Sequence, residues 1–115
     1  MLYNIGEWKV SKANAEKFLE FMGRFVEWQK QNRKKFYYVQ SNFGILKNED
    51  QTAETWMYVD VYEDQESYDK FGEDFRRSNP DWAGFLRLRD EFESLIVPNS
   101  YNCEVIVTKP ELCIE

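Results

Sequence analysis

The sequence has no histidine, only two cysteines and three prolines, and five scattered glycines in 115 residues. The missing imidazole removes the commonest transition-metal ligand and the side chain best suited to acid–base work near neutral pH. Cys103 and Cys113 form no C-x-x-C pair. Neither a zinc site nor a disulfide framework is therefore expected, and a reducing, cytoplasmic setting is. Gly6, Gly23, Gly44, Gly72 and Gly84 stand too far apart for a dinucleotide or phosphate loop. No apolar run approaches membrane-spanning length, and Met1–Val10 has neither the basic start nor the apolar stretch of a secretory signal. Basic residues are also in deficit, 15 against 21 acidic, for a net charge of −6. A phosphate backbone or an anionic membrane would be repelled on average, so neither is expected as a partner. The one basic cluster, Lys30–Lys35 (KQNRKK), falls where a helix should end and where the helix dipole favours cations.

What the chain has in excess is aromatic surface: nine Phe, seven Tyr and four Trp, 17% of all residues. One domain of this length buries only part of it internally, and the rest is expected to line a pocket or a subunit interface. Leu2–Val10 reads as a first strand. Ala13–Arg33 has helical period, with Ala15, Phe18, Leu19, Met22, Phe25 and Val26 as its apolar stripe. Gly23 within that helix suggests a close contact, because glycine there costs roughly 1 kcal/mol against alanine. Phe36–Leu46 and Thr52–Tyr62 read as two strands joined by the polar turn Asn48–Gln51. The acidic run Glu63-Asp64-Gln65-Glu66 opens a second helix, interrupted at Asn79-Pro80. A further helix spans Asp81–Ile96, and Tyr101–Thr108 is the last strand, in which Cys103 alternates with Val105 and Val107 as a buried, inert thiol. The order β-α-β-β-α-β, with an extra helix before the last strand, predicts a ferredoxin-like α+β fold. Its sheet is antiparallel and four-stranded, with the helices on one face.

The third strand decides the functional reading. Met57, Val59 and Val61 alternate with Trp56, Tyr58, Asp60 and Tyr62. The aliphatic set suits packing under helices. The aromatic set, with Phe36, Tyr38, Gln40 and Asn42 of strand two and Asn102, Glu104 and Ile106 of strand four, would then occupy the open face. A second subunit closing over that face would enclose a cavity between the two sheets. Ser67-Tyr68-Asp69-Lys70 matches S-x-x-K without its companion motifs. Asp60, Tyr62 and Asp64 imitate a calcium loop that lacks its glycine and its closing glutamate. No metal or cofactor is implied by either.

The element order, together with TWMYVDVYEDQESYDKF (Thr55 to Phe71), resembles the dimeric α+β barrel superfamily. That group includes antibiotic-biosynthesis-type monooxygenases and EthD-like proteins. The resemblance implies a homodimer in which two sheets form a barrel around a hydrophobic cavity. It does not extend to haem chemistry, since the haem-degrading members bind iron through a histidine and this chain has none. The expected site is therefore Asp60, Glu104 and Tyr58 as catalytic groups, with Trp56, Tyr62, Tyr38 and Trp8 contacting the ligand. A carboxylate in an aromatic cavity has a raised pKa and can act as a base. Three readings follow: a homodimer binding a small apolar or aromatic molecule, a cofactor-independent monooxygenase on an aromatic substrate, or a structural or regulatory dimer with no ligand.

Overall fold

In the computed structural model, which describes residues 1–47, 52–76 and 80–114, four strands and three helices follow the expected order. β1 (Leu2–Ser11) leads through a single 3-10 turn into α1 (Ala15–Gln31). β2 (Gln40–Ile45) and β3 (Ala53–Tyr62) follow, then α2 (Gln65–Arg76), α3 (Ala83–Leu95) and β4 (Asn102–Val107). The turn at Asn48–Gln51 and the break at Asn79 lie outside the described residues. All pairings are antiparallel and the strand order is β2-β3-β1-β4, the ferredoxin-like arrangement. Among the described residues no helix is long and apolar enough to cross a membrane.

The helix ends follow local chemistry. Asp64 accepts the Ser67 backbone N–H at 2.8 Å and caps α2, which holds its carboxyl below the usual range. Asn32 closes α1 by donating to the Trp28 carbonyl at 2.9 Å. Beyond it, the Arg33 guanidinium lies 4.3 Å from the centre of the Tyr38 ring and Lys35 Nζ 5.5 Å from that of Trp28. The basic cluster thus rests partly on aromatic faces as well as at a helix end.

The register fixes which side chains share a face. Gly6 of β1 stands opposite Tyr58 of β3 and Cys103 of β4, and Asn4 opposite Asp60 and Val105. Even-numbered residues of β1 and β3 therefore share a face with odd-numbered residues of β4. This face, not the aliphatic one, is packed under the helices. Trp8, Val10 and Trp56 form one core cluster with Phe18, Phe21 and Met22 of α1. Leu2, Tyr62, Phe36, Tyr38 and Trp82 form a second, against which Phe71 and Phe75 of α2 pack. The expectation that Met57, Val59 and Val61 lie under the helices is thereby reversed. The helices bring mostly phenylalanines to the sheet, with Met22, Val26, Leu88 and Leu95 beside them, and large aromatic rings on the strands pack against these.

Three local readings are corrected in the same way. Leu19, assigned to the apolar stripe of α1, is 63% exposed, whereas Phe21 is fully buried. The buried stripe is rotated toward Phe21 because α3 also packs on α1. At Gly23 nothing lies within 4 Å of an added Cβ, so no close contact explains it; the close contact is at Gly84, where a Cβ would stand 2.7 Å from Trp28 Nε1. Strand two starts four residues late, because Tyr37 has a left-handed backbone with φ 61. Val39 N–H then bonds the Val61 carbonyl while Gln40 also opposes Val61. Two residues facing one is the mark of a bulge, and it lets Phe36 and Tyr38 share the helix-covered side with Ser41 and Phe43.

Candidate functional site

A cavity of about 320 Å³ lies where the two aromatic clusters meet, between the sheet and the helices of a single subunit. Its floor is the sheet: Asn4 and Trp8 of β1, Phe43 of β2, Tyr58 and Asp60 of β3, and Cys103 of β4. Its roof comes from Phe25 and Gln29 of α1, Phe71 and Phe75 of α2, and Phe85 and Phe92 of α3. Arg89 and Glu93, 3.9 Å apart and largely exposed, are the charged pair in the wall. Among the described residues no three of His, Cys, Asp and Glu cluster as metal ligands would.

The central polar group is Asp60. Ser41 Oγ donates to its Oδ1 at 2.5 Å, and no hydrogen bond to Oδ2 is found among the described residues. Burial pushes the carboxyl up to about 6; the Ser41 bond and the Arg33 charge pull the other way without cancelling it. Beside it, Asn4 Nδ2 donates to the Tyr58 hydroxyl at 3.3 Å, and the Tyr58 and Tyr101 hydroxyls share a hydrogen bond of 2.8 Å. Burial raises both phenols above their ordinary value. Tyr101 is aimed there by the connector after α3. Val97 N–H bonds the Lys9 carbonyl, Lys9 N–H bonds Ser100 Oγ, and Asn99 turns the chain with φ 62. Two atoms of wall residues, Asn4 Oδ1 and Trp8 Nε1, are buried without a partner among the described residues.

Of the residues singled out from sequence, the structure brings Asp60, Tyr58 and Trp8 together in the cavity wall. Trp56 shares their face but packs in the core, 5.1 Å from Phe18, with its Nε1 donating to Glu54 at 3.3 Å. Tyr62 is 1% exposed and packs against Tyr68. Tyr38 stands one residue back from the cavity: its hydroxyl, pushed up to about 12 by burial, donates to Gln29 Oε1 at 3.0 Å, and Gln29 lines the wall. Glu104 pairs with Ile5 and is exposed on the opposite face of the sheet from Asp60. The two carboxylates therefore do not share a site. Cys103 is exposed rather than buried. Its edge strand β4 is exposed along its whole length although Cys103 borders the cavity, so alternation with valines did not imply burial. Sequence reasoning missed Asn4 and Tyr101, which lie in no apolar pattern. It also missed the roof, although Phe71 and Phe75, at helical spacing, carried a legible signal.

No family model and no curated protein matches the chain. Solved structures do. An antibiotic biosynthesis monooxygenase superposes with a TM-score of 0.64 at 13% identity, over 96% of this chain and 100% of its own. A variant of SnoaB, a cofactor-independent oxygenase from Streptomyces nogalater, gives 0.57 at 15% identity over 96% and 95%. A dimeric ferredoxin-like protein from an uncultured marine organism gives 0.57 at 16% identity over 94% and 89%. At such identities the likeness is one of fold: the chain carries the ferredoxin-like α+β fold of the antibiotic biosynthesis monooxygenases.

Proposed function

We propose that this protein binds a small apolar or aromatic molecule in the cavity between sheet and helices, within each subunit of a cytoplasmic homodimer. The observation that carries the reading is one half-buried carboxyl, Asp60, on the floor of a cavity of about 320 Å³ walled mainly by aromatic side chains. That volume falls in the range of small-ligand pockets, and one polar anchor in an apolar wall is how such pockets orient what they hold. The homodimer reading rests on the helix-free sheet face, where Tyr3, Ile5, Met57, Val59 and Ile106 gather, and on the dimeric fold neighbour. The reading of a structural dimer lacking a ligand supposed an aromatic interface, and the aromatic face is instead occupied by the subunit's own helices.

A second reading, cofactor-independent oxygenase chemistry on an aromatic substrate, draws on SnoaB and on one local feature. A carboxyl raised to about 6 is a stronger base than an ordinary aspartate and is still ionised near neutral pH. In that reading Asp60 takes a proton from the substrate, and the Asn4–Tyr58–Tyr101 hydrogen bonds orient it. Glu104, facing away, would have no part.

Native mass spectrometry of gently purified protein, with and without added indole, tests the first reading. The expected result is a species of twice 13.9 kDa that takes up one indole per subunit. A monomer that takes up no aromatic molecule would overturn it.

A further inference from the structure

We infer that the occupant of the cavity is an organic cation, an apolar or aromatic molecule carrying a protonated amine, anchored by Asp60 and Asn4. The inference rests on the binding reading above and narrows it to one ligand class.

Three features lead there. Asp60 and Asn4 are direct cross-strand partners on the cavity floor, a placement that puts side chains about 5 Å apart at Cβ. Both present acceptors that the protein leaves unused. Asp60 Oδ1 is held by Ser41 while Oδ2 has no partner among the described residues, and Asn4 Oδ1 is buried with none because its Nδ2 is committed to Tyr58. Two adjacent unused acceptors call for a group with several donors, and an ammonium has three. The rest of the wall agrees. Phe36, Tyr68, Phe71, Phe75 and Phe85 surround the same cavity, and aromatic ring faces attract cations and disfavour anions. Among the described wall residues the charged ones besides Asp60 are Arg89 and Glu93, of opposite sign, 3.9 Å apart and largely exposed. A chain with net charge −6 adds a general pull on cations. A phenol would donate to one of the two acceptors and accept from Trp8 Nε1, the other unpartnered atom of the wall among the described residues, but it would leave the second acceptor unmet. Its anion, once formed, would sit against aromatic faces beside Asn4 Oδ1, with no uncompensated cation among the described wall residues to meet it.

The groups that feel the Asp60 charge are Arg33 beyond α1 and the phenols of Tyr38, Tyr58, Tyr62 and Tyr101. All four phenols are raised and arginine stays charged, so Asp60 alone among them changes charge between about pH 5 and pH 8.

The test is a comparison of phenethylamine, phenethyl alcohol and hydrocinnamate as probes of similar shape and three charges, read by tryptophan fluorescence and calorimetry. At about pH 7.5 the amine is expected to bind at least about tenfold more tightly than the alcohol, with hydrocinnamate weakest. The preference should vanish in Asp60→Asn. In the unaltered protein, amine affinity should fall by about tenfold on going to pH 5, as Asp60 takes up its proton. That pH series needs no substitution and decides the matter if Asp60→Asn fails to fold. If the alcohol or the carboxylate binds as well as the amine, or the amine affinity is flat with pH, the cation assignment is overturned while the binding reading stands. If none of the three binds to folded protein, both fall.

Discussion

The Tyr58 ring lies directly against Gly6 of the neighbouring strand: a Cβ built on Gly6 would stand 2.0 Å from Tyr58 Cε1. The absence of a side chain at Gly6 is what lets the ring lie flat over β1 and point its hydroxyl at Asn4 and Tyr101. Gly6→Ala should displace the ring and cost about 2 kcal/mol, through overpacking and lost hydrogen bonds. Thermal melting measures the loss, and an unchanged melting temperature would contradict the contact.

The hydroxyl pair itself can be assessed by a double-mutant cycle. Tyr58→Phe and Tyr101→Phe should each destabilise by about 1 kcal/mol, and the double variant by clearly less than their sum. Strict additivity in urea titrations would mean that the two phenols do not interact.

Asp60 makes stability depend on pH with a definite sign. Its folded-state pKa of about 6 exceeds the ordinary 3.8, so the native state holds the proton more tightly than the unfolded chain. This contribution to stability is complete below about pH 4 and is lost as pH rises through about 6. Asp60→Asn removes the titration. Its stability relative to the parent should rise by up to about 3 kcal/mol between about pH 4 and pH 7.5. A difference that is constant with pH would show that Asp60 is not desolvated.

On the helix-free face, Val59 lies at the middle of β3, opposite Ile5 and Asn42. Val59→Asp puts a charge into the proposed interface and should convert a dimer to a monomer by native mass spectrometry, with the circular dichroism spectrum retained. A folded variant that stays dimeric would place the interface elsewhere.

Much of the fold was legible in the chain because it is written locally. Two-residue alternation in Ala53–Tyr62, helical period in Ala15–Gln31 and the acidic start of Gln65–Arg76 each need only neighbouring residues. What was not legible is parity across strands. Pairing Gly6 with both Tyr58 and Cys103 puts Asp60 and Glu104 on opposite faces, and that register is set by connections many residues away. The bulge at Val39–Gln40 flips parity within one segment for the same reason. Which face the helices choose was partly readable: a roof of Phe18, Phe21, Phe71, Phe85 and Phe92 calls for an aromatic floor. Reading the strand alone, by aliphatic against aromatic character, pointed the wrong way.

The indole rings of Trp8 and Trp56 lie nearly parallel, 15° apart with centres 6.4 Å from each other, and only the first of them borders the cavity. Two chromophores at that separation share their excited states, so their joint ultraviolet absorption and circular dichroism depend on the angle between them. A rotation of Trp8 against Trp56 would therefore change that joint signal, to which the neighbouring Tyr58 and Tyr101 rings also contribute. Binding at the proposed site is thus expected to be readable without a label, in the unmodified chain.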